Sequence, residues 1–201
     1  MYQYIDETYE GVDFSYSDKR DGELQHCTFK KCSFRGTSLE EINTIGCSFI
    51  ECDFRDAGLN ASIHNDSAFM NCQFSGANLF VAKFINCKMT GSDFAAAQLD
   101  GVTLSKGDWS YTNLRNHNLS KQDLRDIRFI EADLYSCNLQ KADLRGADLT
   151  GAHLVKTNLQ GTDFRGAILD GVDFKALDLK GARMDMSHGA AFLRALGAKV
   201  D

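Results

Sequence analysis

The sequence predicts an all-β solenoid closed by a short C-terminal helix. Three observations carry that prediction: an apolar side chain at every fifth residue, like side chains recurring at every twentieth, and an amphipathic tail where the fives stop. In KADLRGADLTGAHLVKTNLQGTDFRGA, residues 141–167, every fifth residue is Leu or Phe, and Ala or Thr stands two positions before each. With the Leu/Phe column numbered i, it runs from residue 14 to residue 184 without insertion or deletion, and 32 of its 35 positions are Leu, Phe, Met or Trp. Lys19, Thr44 and His64 are the exceptions, while Tyr4 and Tyr9 extend the phase toward the N-terminus. A helix cannot hold such a column on one face, because each step of five rotates it by about 140°. An unbroken strand would send alternate members to opposite faces. The chain must therefore turn a corner once per pentapeptide.

The second period places the corners in space. Phe14, Phe34, Phe54, Phe74 and Phe94 stand twenty apart and are followed by Leu114, Leu134 and Leu154. The next wall carries Leu39, Leu59, Leu79, Leu99, Leu119, Leu139, Leu159 and Leu179, and a third carries Phe29, Phe49 and Phe69. Like stacks on like where successive turns of a solenoid interlock.

These residues match the A(D/N)LXX pattern of the pentapeptide repeat family, and the chain resembles that family over residues 12–186. The resemblance implies a right-handed quadrilateral β-helix with four pentapeptides per coil and eight to nine coils. At a strand spacing of about 4.8 Å the rod would be about 40 Å long. Residues 1–186 would form the β-helix, and residues 187–201 a capping or dimerising helix and tail.

Composition narrows the function classes. With 201 residues the chain has room for one well-buried core, and a net charge of −6 disfavours direct nucleic-acid binding, which needs a basic face. The opening MYQYIDETYEG is acidic and does not read as a signal peptide, and no apolar run approaches the roughly 20 residues that span a bilayer. A cytoplasmic protein without membrane attachment is expected. Proline is absent, which suits a backbone whose donors are used in ladders.

Seven cysteines, at 27, 32, 47, 52, 72, 87 and 137, all occupy the inward slot i−2, which elsewhere holds mostly Ala, Ser, Thr or Val. They read as small buried apolar residues and free thiols, not as metal ligands or disulfides. The histidines, His26, His64, His117, His153 and His188, stand in no catalytic or metal motif, and there is no phosphate-binding glycine loop. Within the frame eleven of the seventeen glycines sit at the corner position i+2. Neither enzymatic activity, nor a cofactor, nor a metal is expected.

The outward slots i−1, i+1 and i+2 give each wall a charge. The wall of residue 14 nets about −1, as does that of residue 19 with Lys19 included; that of residue 4 nets −2, and that of residue 9 nets −3 with Glu7 included. Asp123-Leu124-Arg125, Asp143-Leu144-Arg145 and Asp163-Phe164-Arg165 recur at twenty, so an Asp column should stand beside an Arg column as a surface ion-pair network. Thr44 and His64 stack on the same wall and leave it short of apolar filler; a local bulge bringing Ile42, Ile45 or Ile63 inward is the expectation.

After Met184 the register ends in SHGAAFLRALGAKVD. Ser187 can cap a short helix, Gly197 can end it, and Phe192, Leu193 and Leu196 share its apolar face. Such a helix would protect the open end of the core. The tail also resembles the C-terminal helix through which Qnr-type and MfpA-type proteins dimerise end to end. That resemblance makes Phe192, Leu193 and Leu196 the dimer interface, followed by a short strand at Ala198-Lys199-Val200.

The same subgroup is suggested by a Cys- and Phe-rich N-terminal half (CTFKKCSFRG, CSFIECDF), a Leu-rich C-terminal half and SAFMNCQFSGANL. The unbroken register leaves no counterpart of the large loops of proteobacterial Qnr proteins, so the loop-free MfpA scheme is the nearer one. The resemblance implies a mimic of duplex DNA that enters the basic saddle of DNA gyrase or topoisomerase IV and protects it from quinolones or natural poisons. Asp108, Glu131, Asp148 and Asp170, on the wall of residue 9, are then the candidate contacts. Their wall is far less densely charged than DNA, which carries one charge per about 1.7 Å of axis. The alternative is a structural or regulatory protein-interaction module with no topoisomerase target.

Overall fold

The computed structural model describes residues 3–200, wound into a right-handed quadrilateral β-helix with one helix at its C-terminal end. The strands are three residues long: β1 (Gln3–Ile5), β2 (Thr8–Glu10), β3 (Glu23–Gln25), β4 (Thr28–Lys30), β5 (Asn43–Ile45), β6 (Ser48–Ile50), β7 (Ile63–Asn65), β8 (Ala68–Met70), β9 (Lys83–Ile85) and β10 (Thr103–Ser105). β1-β3-β5-β7-β9-β10 form one wall and β2-β4-β6-β8 the next. Every pairing is parallel and joins residues twenty apart, as in Tyr4 to Leu24 and Leu24 to Thr44. Beyond the strands, single bridges with the same offset carry the ladder to Arg183.

The other two walls, and the stranded walls beyond their last strands, are built of tight turns. In each the amide of i+3 donates to the carbonyl of i, for example Thr37 to Phe34 at 3.1 Å and Ala77 to Phe74 at 2.9 Å. Such a turn needs positive φ at i+2, and that slot shows it whether glycine fills it (Gly146, 70°) or not (Asp56, 60°).

Slots i and i−2 point inward along the whole rod. Phe34, Phe54, Phe74 and Phe94 are buried in one file, with ring centroids 4.9, 5.0 and 4.6 Å apart and planes within 5° of parallel. Leu119, Leu139 and Leu159 are equally buried, whereas Phe14 and Leu179, at the two ends, are only partly covered. Lys19 lies in the half-open first coil, its ammonium 5.6 Å from the centre of the Tyr4 ring. The seven thiols are free and buried, and burial pushes Cys87 and Cys137 up to about 12. Trp109 is buried two residues after Gly107, where, at φ +84°, a Cβ would collide with the Cys87 backbone.

No bulge forms at Thr44 and His64. Both keep the register and both are buried, while Ile45 stays exposed. They satisfy each other instead: Thr44 Oγ1 lies 2.9 Å from His64 Nδ1 and 3.0 Å from Ser67 Oγ, and His64 Nε2 lies 3.0 Å from Ser62 Oγ. The imidazole stacks on Phe84 with centroids 4.8 Å apart, so it substitutes for the missing aromatic ring. A buried polar pair is tolerated when its partners are internal.

The ladder is not continuous. Among the described residues no bridge joins Gln98 to Asn118, Thr103 to Asp123, His153 to Asp173 or Asn158 to Asp178, although each wall is laddered on the N-terminal side of its gap. Three of these four gaps follow an unusual inward slot: within the frame, His117, Gln122 and Leu177 are the i−2 residues that reach past the γ position without being β-branched. These long side chains sit where neighbouring coils part, whereas the β-branched Ile42 and Ile127 fill the same slot with the ladder intact. At Gln122 a side chain replaces the lost backbone bonds: its amide donates to Val102 O at 2.9 Å and accepts from the Leu104 amide at 3.3 Å. His117 Nε2 lies 2.8 Å from the Phe94 carbonyl, the contact that serine and threonine hydroxyls make from this slot in intact coils. Past the second opening the chain forms a single 3-10 turn, Phe174–Ala176, leaving a cleft of about 500 Å³ lined by Lys156, Leu159, Asp178 and Lys180, among others.

The rod ends in α1 (Met186–Ala195), which starts at Asp185 and not at Ser187. Asp185 and His188 form a reciprocal capping box. His188 is buried and its Nε2 lies 2.8 Å from the Ala167 carbonyl, which ties the helix to the last complete coil. Residues 198–200 form no strand.

Candidate functional site

Among the described residues no helix is long and apolar enough to cross a membrane, and no three His, Cys, Asp or Glu side chains gather as metal ligands would. What the fold offers to other molecules is its walls and its capped end.

On the wall of residue 9, Asp108 and Asp148 stand in one column, with Arg128 between them in the bridge register. Asp108 accepts from the Ser110 amide and hydroxyl and lies 3.8 Å from Arg128; Asp148 accepts from the Thr150 amide at 3.1 Å and hydroxyl at 2.7 Å. Glu131, at a corner slot, and Asp170, at an i+1 slot two coils on, are exposed on the same wall. The four carboxylates therefore share a wall without forming an unbroken acidic strip. Lys88 continues the same column toward the N-terminus and dilutes it further.

The Asp–Arg columns form as ion pairs. Arg125, Arg145 and Arg165 each grip the Asp two residues earlier, at 2.6, 2.6 and 2.7 Å. Arg125 also lies 3.8 Å from Asp143, and Arg183 lies 3.6 Å from Asp163, so coils are linked as well as paired. Hydrogen bonds from Arg165 pull the Asp163 carboxyl down to about 2. These guanidinium groups are saturated by their own carboxylates, and such exposed pairs add little to stability.

Two surface features escaped the reading of the register. Arg115 and Lys156 flank Tyr135, with cationic atoms 4.5 and 5.3 Å from its ring centre, and the His153 ring lies 5.8 Å away. The Lys156 hydrogen bond lowers the Tyr135 phenol below its ordinary value. The second is apolar: Phe80, Val81, Ile45 and Ile85 are exposed on or beside the six-stranded wall. The available signal was apolar residues in the outward slots i+1 and i+2.

At the capped end the three apolar helix residues divide. Phe192 packs back onto its own chain, edge-to-face on Phe174 with centroids 6.1 Å apart. Leu193 and Leu196 point outward, 47% and 56% exposed, and Met186 is also uncovered. The available face of α1 is thus Met186, Leu193 and Leu196, while Phe192 serves the core.

A rod whose core is filled by the inward side chains defines the class: a repeat solenoid whose coils are four pentapeptides each. The family models "Pentapeptide repeat region" and "Pentapeptide repeats (8 copies)" match residues 77–154 and 147–185. The chain belongs to the pentapeptide repeat family. Its fold is similar along its whole length to a trypsin-treated variant of QnrB1, a plasmid-mediated fluoroquinolone resistance protein, at TM-score 0.86 and 22% identity, covering 100% of both chains. Full-length QnrB1 is similar at TM-score 0.74 and 20% identity, over 98% of this chain and 100% of that one. HetL, a pentapeptide repeat protein involved in heterocyst differentiation regulation from Nostoc sp. strain PCC 7120, is similar at TM-score 0.52 and 23% identity, over 90% and 86%. No curated protein sequence matches the chain.

Proposed function

We propose that this protein acts as a non-enzymatic, DNA-mimicking partner of a type II topoisomerase, DNA gyrase or topoisomerase IV, and protects it from quinolones or natural gyrase poisons. The observation that carries this reading is end-to-end similarity of fold, terminal helix included, to a fluoroquinolone resistance protein. Net charge of −6 agrees in sign with a basic binding saddle. Asp108, Glu131, Asp148 and Asp170 are the proposed carboxylate contacts. Two copies would join through the outward face of α1, with Leu193 and Leu196 at the centre and Phe192 beneath them as support. End-to-end pairing would give a rod of about 80 Å at ordinary strand spacing. The site of action would be the cytoplasm, where the enzyme is found.

A gyrase supercoiling assay with and without a quinolone tests the reading. Added protein should restore supercoiling in the presence of drug, or inhibit it without drug. No effect at micromolar protein would remove the topoisomerase from the account. A second reading, a regulatory interaction module, is favoured by the interruption of the acidic wall by Arg128 and Lys88.

A further inference from the structure

The six-stranded wall changes character halfway along the rod. Ile45, Ile63 and Ile85 lie in outward slots of β5, β7 and β9, and Phe80 and Val81 form the adjoining corner. Phe80 is 53% exposed and Val81 39%. This corner is rigid: the Phe80 amide donates to Asn78 Oδ1 at 3.1 Å, and the Asn78 side chain donates to Asn60 Oδ1 at 3.3 Å. Ladder bonds hold it from both sides, Ala61 N to Phe80 O at 2.9 Å and Val81 N to Asp100 O at 3.0 Å.

Val81 also has φ +53°, and among the described residues it is the one β-branched side chain in the left-handed region. Glycine, asparagine or aspartate would occupy that slot at lower cost. Val81 lies over Gly101 of the next coil and is still 39% exposed, so the corner keeps an apolar surface at a cost in backbone strain.

The surroundings say what chemistry covers this corner. Glu40 and Glu41 stand in its columns two coils below, Asp100 one coil above, and Asp66 across the wall. Lys83 is the cation inside this rim, Lys106 lies at its far edge and Lys121 stands two coils above in the Val81 column, so four carboxylates surround the corner against three ammonium groups. A second copy seated here would bring two acidic rims together, and like charges oppose that. The fitting partner is a basic protein surface with an aliphatic recess between its cations.

We infer that Phe80 and Val81 are the apolar anchor by which the rod docks on the basic saddle of the topoisomerase, entering a recess flanked by cations that pair with the surrounding carboxylates. This rests on the functional reading above and names a wall and an anchor that it lacks. A rigid, desolvated aromatic at the centre of a charged rim is the arrangement that concentrates binding energy.

The test is binding of the labelled full-length protein to purified DNA gyrase holoenzyme, followed by fluorescence anisotropy at two salt concentrations. Phe80→Ser should weaken binding on the order of tenfold at both, and Phe80→Tyr should retain it. Val81→Gly relieves the backbone, so its melting temperature should rise while its affinity falls severalfold; that opposition separates lost contact from lost folding. Glu41→Gln should flatten the salt dependence. If the parent binds and both Phe80→Ser and Val81→Gly bind equally well, the anchor is overturned and the functional reading stands. If the parent does not bind, both fall. Self-association of the parent that Phe80→Ser abolishes would make the corner a contact between copies and overturn the inference.

Discussion

His64 shows at the scale of one residue how a polar side chain survives inside a stacked core. Burial holds its folded pKa at about 3, against 6.5 when exposed. As pH falls below about 6.5 the unfolded chain takes up the proton first, so stability is present above that pH and is lost down to about pH 3. The slope is up to about 1.4 kcal/mol per pH unit for this one group. The double variant Thr44→Leu, His64→Phe replaces both partners by apolar fillers common in these columns; it should be near neutral or stabilising at pH 7. Denaturant midpoints from pH 7 to pH 4 should then fall less steeply than in the parent, and equal slopes would refute the assignment. His64→Phe also fills in part a small cavity of about 10 Å³ beside Thr44, the limit for one water. The buried thiols give a second check at this scale. Raised by burial, Cys47, Cys87 and Cys137 should resist a thiol reagent in the native state and react on unfolding.

The ladder and the cap are the elements whose behaviour follows from packing. His117 and Gln122 wedge two coils apart on two adjacent walls, so the rod has a weak plane near its middle. Replacing both by alanine, the residue that fills many i−2 slots, should let the backbone close. Amide exchange at Leu99 and Asn118 should slow on closure; unchanged protection would show that the wedge does not cause the gap. In α1, Phe192→Asp is expected to damage the cap and lower the melting temperature by the cost of a charge against Phe174, on the order of 2–4 kcal/mol. Leu193→Asp with Leu196→Asp should leave the melting of the monomer nearly intact and alter only association. Light scattering distinguishes them: the parent should run at twice its 22.3 kDa chain mass and the double variant at that mass.

Over the whole molecule the protein is a rod whose surface charge is largely neutralised locally. The ion-pair columns link coils, and the acidic wall carries its own arginine. Affinity for a basic enzyme should therefore fall with salt, yet less steeply than that of duplex DNA, whose charge is denser and releases condensed counterions. Competition experiments on gyrase at several salt concentrations would measure both slopes. Equal slopes would mean that the rod reproduces the charge density of DNA, which the local pairing contradicts.

The winding, the walls and the core columns were legible in the sequence, because an inward residue every fifth position with a small one two places before leaves few backbone paths. The wedges were legible too: His117, Gln122 and Leu177 occupy slots that are otherwise small or β-branched, a departure visible once the slot is read as a volume limit. Tertiary structure alone decided which helix residues face the core, how Thr44 and His64 satisfy each other, and how far carboxylates twenty residues apart are neutralised by the arginine between them. Each of these depends on side chains meeting across coils, and a repeat pattern specifies where a side chain starts but not which neighbour it reaches.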